Sequence, residues 1–197
     1  MAEHYFTKKP TSLLKTNTVS FSFSGKSLAF TCASGVFSSQ KVDFATALLL
    51  EHAELHNNWD VLDIGCGIGV IGISIKKAFP ESRVVMTDVN ERALAISKKN
   101  AQKNHVSVEI IESDLYQNIA KQFDTIISNP PHHAGRALVY AMIEQAPLYL
   151  KTNGTLQIVS HHNKGGAMLE KKMKEIFGNV SVLGKKAGFR VYCSKKV

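Results

Sequence analysis

The chain has 197 residues, 44% of them hydrophobic, and a formal net charge of +8, so it can bury a full core as one domain with small additions. No apolar run reaches the roughly 20 residues of a membrane span, and the polar Ala2-Glu3-His4 start does not read as a signal peptide, so a cytoplasmic protein without a membrane partner is expected. Cys32, Cys66 and Cys193 are widely spaced with no C-x-x-C, which fits reduced thiols rather than a disulfide or zinc framework.

Taken in chain order, Thr18 to Phe23 alternates apolar and polar, Ser24-Gly25-Lys26 supplies a turn, and Leu28-Ala29-Phe30 completes a hairpin, expected outside the sheet core as a candidate lid. Residues 32–39 are loop-like. Asp43 to Leu55 reads as an amphipathic helix with Ala45, Leu48, Leu49 and Leu55 on one face and Leu50 as an exception on the acidic side. From Trp59 onward strand and helix alternate: strands are expected at 60–64, 83–87, 107–111, 123–128, 154–160, 179–184 and 188–194, and helices at 70–78, 91–103, 136–150 and 165–177. The last two strands are too close for a crossover helix and must turn back antiparallel. The predicted fold class is therefore α/β, a seven-stranded, mostly parallel sheet with a terminal antiparallel hairpin and a small N-terminal β-hairpin.

The chemistry centres on Val61-Leu62-Asp63-Ile64-Gly65-Cys66-Gly67-Ile68-Gly69, a strand emptying into alternating glycines before a helix. Glycine tolerates positive φ and lets a ligand lie against bare peptide, and the first strand-loop-helix of a doubly wound sheet is where nucleotide-like cofactors sit. Gly67, Gly69 and Gly72 also satisfy the dinucleotide pattern G-x-G-x-x-G, which leaves an NAD-dependent reductase as a rival reading. Asp63 separates the two. A carboxylate before the glycines repels a pyrophosphate but attracts a cationic ligand such as S-adenosylmethionine.

Asp88 ends the second sheet strand, with Val89 after it, where an acid can accept hydrogen bonds from both ribose hydroxyls of an adenosine. Asp114-Leu115 follows the third, within reach of the adenine amino group. Asn129-Pro130-Pro131 follows the fourth strand at the carboxyl edge of the sheet. The prolines fix φ and lack N–H donors, so the Asn129 amide oxygen and the Pro130 carbonyl stand as rigid acceptors suited to an amino group awaiting a methyl. No Pro-Cys dipeptide occurs, which argues against pyrimidine C5 methylation through a cysteine nucleophile.

Charge divides unevenly. Residues 1–57 hold five basic and four acidic residues, residues 58–135 eight and nine, and residues 136–197 eleven and three. The whole excess lies in the last third, including Lys185-Lys186 and Arg190, and suggests a polyanion partner. Arg136 and Lys164, each just after a sheet strand, are placed to neutralise phosphates near a target nucleotide. His132-His133 and His161-His162 share one sheet edge, but their spacing and the lack of a nearby acid or cysteine argue for a substrate mouth and against a metal site.

Residues 61–131 resemble class I S-adenosylmethionine-dependent N-methyltransferases, with a Rossmann-like core. More narrowly, Ser34-Gly35-Val36-Phe37-Ser38, the run Ile127 to Gly135, and Gly188-Phe189-Arg190-Val191-Tyr192 resemble the RsmC-type small-subunit ribosomal RNA guanine-N2 methyltransferases, and within them the single-domain members. The resemblance implies one domain over 1–197, with 1–40 an extension and 41–197 the core. It also implies S-adenosylmethionine as cofactor and ribosomal RNA or the small ribosomal subunit as partner, with monomer and weak dimer both open. Asp63, Gly65, Cys66, Gly67, Gly69, Asp88, Val89, Asp114, Leu115 and Asn129 would then contact the cofactor, and Asn129, Pro130, Pro131 and His132 would form the catalytic edge. Phe37, His133, Arg136, Lys164, Lys185, Lys186 and Arg190 would meet the substrate. Many relatives carry Phe or Tyr after the two prolines; here His132 stands there, which opens the identity of the base. Adenine N6, a protein glutamine, or RNA binding without catalysis are the alternatives.

Overall fold

A computed structural model of the chain describes residues 16–33, 41–130 and 135–197. An antiparallel hairpin, β1 (Thr16–Phe23) and β2 (Lys26–Ala33), comes first. It closes through Ser24 and Gly25, both at positive φ, the backbone pair that a tight hairpin turn matched to strand twist requires. Then follow α1 (Phe44–His52), β3 (Asp60–Ile64), α2 (Val70–Ala78), β4 (Arg83–Asp88), α3 (Glu91–Lys103), β5 (Glu109–Glu112), β6 (Phe123–Ser128), α4 (Arg136–Tyr149), β7 (Leu150–His161), α5 (Gly166–Phe177), β8 (Ser181–Lys186) and β9 (Phe189–Lys195).

The seven later strands form one sheet in the order β5-β4-β3-β6-β7-β9-β8. β3 pairs in parallel with β4 and β6, while β9 runs antiparallel to both β7 and β8. Chain order reverses between β3 and β6, which opens a crevice beyond their carboxyl ends, the ligand position of doubly wound sheets. β3 is buried along its whole length, as an apolar central strand covered on both faces must be.

Several boundaries differ from the sequence expectation for local reasons. Helix α1 stops at His52 instead of Leu55 because the backbone of Glu54 is captured by a side chain: its N–H donates to Gln157 Oε1 and its carbonyl accepts from Gln157 Nε2, both at 2.9 Å. Leu50 is buried, since α1 packs against β7, β8 and α2 and has little free surface. Strand β8 starts at Ser181 because Asn179 pairs with Lys195 through its side chain, accepting from the backbone N–H at 2.8 Å and donating to the carbonyl at 2.8 Å.

The hairpin is not a detached lid. Val19, Leu28, Phe30 and Cys32 are buried in the same apolar cluster as α1, α2 and α3. Two asparagines four residues apart, Asn100 in α3 and Asn104 at its C-cap, act as a surrogate strand along β2. Asn100 Oδ1 accepts from Thr31 N at 2.7 Å while its Nδ2 donates to the Thr31 carbonyl, and Asn104 does the same for Ala29. Asn100 Nδ2 also donates to the Ile68 carbonyl in the glycine turn at 2.9 Å, so hairpin and turn hang on one buried amide. Asn100→Leu leaves those backbone groups without partners and is expected to cost about 2–4 kcal/mol in urea unfolding. An unchanged midpoint would mean that apolar packing alone seats the hairpin.

Candidate active site

Three alternating glycines let β3 turn into α2 at all. Gly65, Gly67 and Gly69 have φ of 71°, 55° and 86°, a region costly for side chains. A Cβ on Gly65 would stand in open space, whereas one on Gly69 or Gly72 would strike Met86 and its neighbours. The first glycine thus presents bare peptide outward, and the later ones let helix α2 sit close to β4.

Asp63 occupies an interior position behind this turn. Its Oδ2 accepts from Gly72 N at 2.9 Å, which draws the carboxylate under the first turn of α2. Its Oδ1 is fully buried with no hydrogen-bond partner among the described residues. Asp63, expected from the sequence to contact a cationic cofactor, is fully buried and does not line the cleft, so any influence it has on a ligand there acts through the turn. Burial first, and then the nearby Asp88, push its carboxyl up to about 7 against the Gly72 N–H.

Asp88, at the end of β4, binds the glycine turn from the other side. Its Oδ2 accepts from Gly67 N at 2.8 Å and its Oδ1 from Asn90 N at 2.9 Å. Burial raises its carboxyl above the usual range despite these N–H bonds. Cys66 lies between the two acids, and burial plus both carboxylates push its thiol up, so it remains protonated and no nucleophile. Val89 follows Asp88 into the turn before α3. Asp114 is exposed on the loop after β5, and Leu115 beside it has a positive φ of 47°. That loop is tied to the β4 end by Ser113 N donating to the Asp88 carbonyl at 3.1 Å.

Gly65, Cys66, Gly67 and Asn129 line one cleft, together with Val19 and Cys32 from the hairpin and Asp43 and Thr46 from the start of α1. The Asn129 amide nitrogen donates to Asp43 Oδ2 at 2.9 Å and to Thr46 Oγ1 at 2.8 Å. Sequence reading missed Asp43, Thr46 and Asn100. Asp43 showed only as a polar residue at the start of an apolar helix, three positions before Thr46, a pattern that also marks any N-cap.

Other expected residues gather elsewhere. Pro130, Arg136 and Lys164 line a neighbouring cleft with Gly135, Ser160 and Met168. Lys185, Lys186 and Arg190 line a groove over the terminal hairpin with His162, Asn163 and Phe189. Arg190 is shared with Glu170 at 3.7 Å. His161 packs edge-on against the Phe189 ring, while His162 Nδ1 lies 2.8 Å from the Tyr192 hydroxyl, so the two rings serve different partners. Phe37, Pro131, His132 and His133 lie outside the described residues.

A glycine turn between two buried acids, facing an asparagine across a topological switch point, can be compared with known families. The methyltransferase small domain model matches residues 27–193. The chain belongs to that family. Its members use S-adenosylmethionine as methyl donor. The methyltransferase is 40% identical to the "Uncharacterized protein YbxB" of Bacillus subtilis over the full length of both chains. It is 38% identical to the Ribosomal RNA small subunit methyltransferase C of Actinobacillus succinogenes, over 80% of this chain and 48% of that one. Among solved structures it resembles the T. thermophilus 16S rRNA N2 methyltransferase RsmC, in complex with AdoMet and guanosine, with a TM-score of 0.81 and 27% identity over 94% of this chain and 51% of that chain. The chain therefore spans about half the length of the named ribosomal RNA methyltransferases it matches. The residues present suit a cationic, nucleoside-bearing cofactor: bare peptide at Gly65 and Gly67 lines the cleft, and an orphaned acid oxygen waits behind the turn.

Proposed function

We propose that this protein transfers the methyl group of S-adenosylmethionine to an exocyclic amine of small-subunit ribosomal RNA, with guanine N2 as the acceptor. The observation that carries the reading is the presence of Asn129 in the same cleft as Gly65 and Gly67, so that an amine held by Asn129 would face a methyl donor lying on the glycine turn. S-adenosylmethionine supplies an electrophilic methyl on a sulfonium. Asp63, buried and negatively charged when ionised, favours a cation over the turn through a low-dielectric interior, and Asp88 holds Gly67 in place with acceptor capacity left for ribose hydroxyls.

On the acceptor side, Asn129 Oδ1 and the Pro130 carbonyl accept the two amine hydrogens. That grip favours pyramidal nitrogen and frees a lone pair otherwise conjugated into the base. With the methyl donor bound, the nitrogen lone pair would form the new N–C bond while the S–C pair returned to sulfur and the surplus proton left to water, so this arrangement calls for no dedicated base. The names of the ribosomal RNA methyltransferase relatives support RNA as substrate, as does the basic last third of the chain. Lys185, Lys186 and Arg190 in one groove, with Arg136 and Lys164 beside Pro130, offer phosphate contacts on the substrate side. His132 in place of Phe or Tyr would contact the base over a smaller area.

The test is nucleoside mass spectrometry after incubating purified protein with S-adenosylmethionine and either 16S ribosomal RNA or assembled small subunits. N2-methylguanosine is the expected product. A methyl group on adenosine, or none on RNA, would overturn the assignment.

A further inference from the structure

We infer that Asp43 and Thr46, at the start of α1, are positioning residues that set which face of the Asn129 amide meets the acceptor amine. This rests on the proposed role of Asn129. An asparagine amide is nearly symmetric in shape, and turned by 180° about its last bond it would offer two donors where the reaction needs an acceptor. Here the choice is forced. An ionised Asp43 carboxylate can only accept, and its Oδ2 receives Asn129 Nδ2 at 2.9 Å. Thr46 Oγ1 receives the same nitrogen at 2.8 Å. Both hydrogens of the amide nitrogen are thereby engaged, and Oδ1 is left as the free acceptor; no donor among the described residues meets it.

The device is itself anchored. Asp43 Oδ2 also accepts from Thr46 N at 3.1 Å, the N-cap bond of α1, so the oxygen that opens the helix also orients the amide. Thr46 is buried, and the α1 that carries it is clamped at its far end by Gln157. The flipped amide would set an NH₂ group beside the acceptor amine and leave its own oxygen against the Asp43 carboxylate, losing that hydrogen bond and gaining a repulsion, while the Thr46 hydroxyl, donor as well as acceptor, holds whichever atom Asp43 selects. Neither residue touches the reacting atoms in this account; both act through Asn129.

Thr46 allows the cleaner test, because Thr46→Val keeps shape and burial and leaves the N-cap bond, which uses only the backbone N–H. Thr46→Val is expected to lower turnover at least tenfold, with S-adenosylmethionine affinity by calorimetry and thermal midpoint near those of the parent. Thr46→Ser, which restores the hydroxyl, is expected to recover most of that loss. Independently of any acceptor, the Asn129 side-chain NH₂ protons should exchange slowly with water in the parent by NMR, and faster in Thr46→Val but not in Thr46→Ser. Parent-like turnover, or parent-like exchange in Thr46→Val, would overturn the inference. Should the parent protein methylate no RNA, the proposed function fails, and the exchange measurement alone still decides whether Thr46 holds the amide.

Discussion

Replacing Asn129 with alanine is expected to lower methyl transfer by 100-fold or more, a barrier increase of about 3 kcal/mol or above, while S-adenosylmethionine binds with nearly unchanged affinity. In the proposed reaction, removing a preorganised acceptor aimed at developing positive charge on nitrogen costs most in the transition state, whereas the glycine turn proposed to bear the cofactor is built from other residues. Asp43 keeps its Thr46 N–H partner in the variant, so the start of α1 should survive and the thermal midpoint should move little. The check is single-turnover methylation alongside calorimetry. Parallel loss of cofactor affinity and rate would show that Asn129 merely holds the cleft together.

Asp63→Asn should make the protein without cofactor more stable at pH 8, by about 2–4 kcal/mol, and weaken its binding of S-adenosylmethionine at least tenfold. Burial lifts the folded-state carboxyl from its ordinary 3.8 to about 7, with the Gly72 N–H opposing the shift. As pH rises through that window the unfolded chain has already released the proton while the folded chain still holds it, so folding stability falls; above about 7 the full cost of a buried charge remains. The raised Asp88 carboxyl acts with the same sign. An asparagine retains an acceptor for Gly72 N–H without that cost, so the advantage of the variant should vanish below about pH 4. Urea titrations of both proteins from pH 4 to pH 8 measure it directly, and a pH-independent gap would remove Asp63 titration from the account. Asp60 contrasts with this. The Arg83 guanidinium, and then Lys151, hold its carboxyl well below the usual range despite some desolvation, so its contribution is present above about pH 4 and is lost on acidification. A destabilising acid behind the glycine turn is what a site selecting a cationic ligand would keep, since the charge would become favourable once that ligand is bound.

Most of the architecture was legible because its signals are local. Alternation in β1, the apolar run of β3 and the glycines after it follow from backbone sterics and burial, which read the same in any context. The short link before β9 forces an antiparallel return, and Ala187 and Gly188 supply it with two positive φ angles. Two of the misplaced ends have a common cause. The end of α1 and the start of β8 are set by Gln157 and Asn179, side chains that satisfy backbone groups distant in sequence.

By itself the sequence determined that an acid and three glycines follow a central strand, that an asparagine followed by prolines ends another, and that positive charge collects in the last third. Only the tertiary structure decided how these act. It drew Asp63 beneath α2, docked the hairpin on α3 through Asn100 and Asn104, and brought Asp43 and Thr46, more than eighty residues before Asn129, against its amide. Those placements depend on which hydrogen bonds and apolar faces are satisfied when the whole chain closes, and no stretch of sequence carries that information alone.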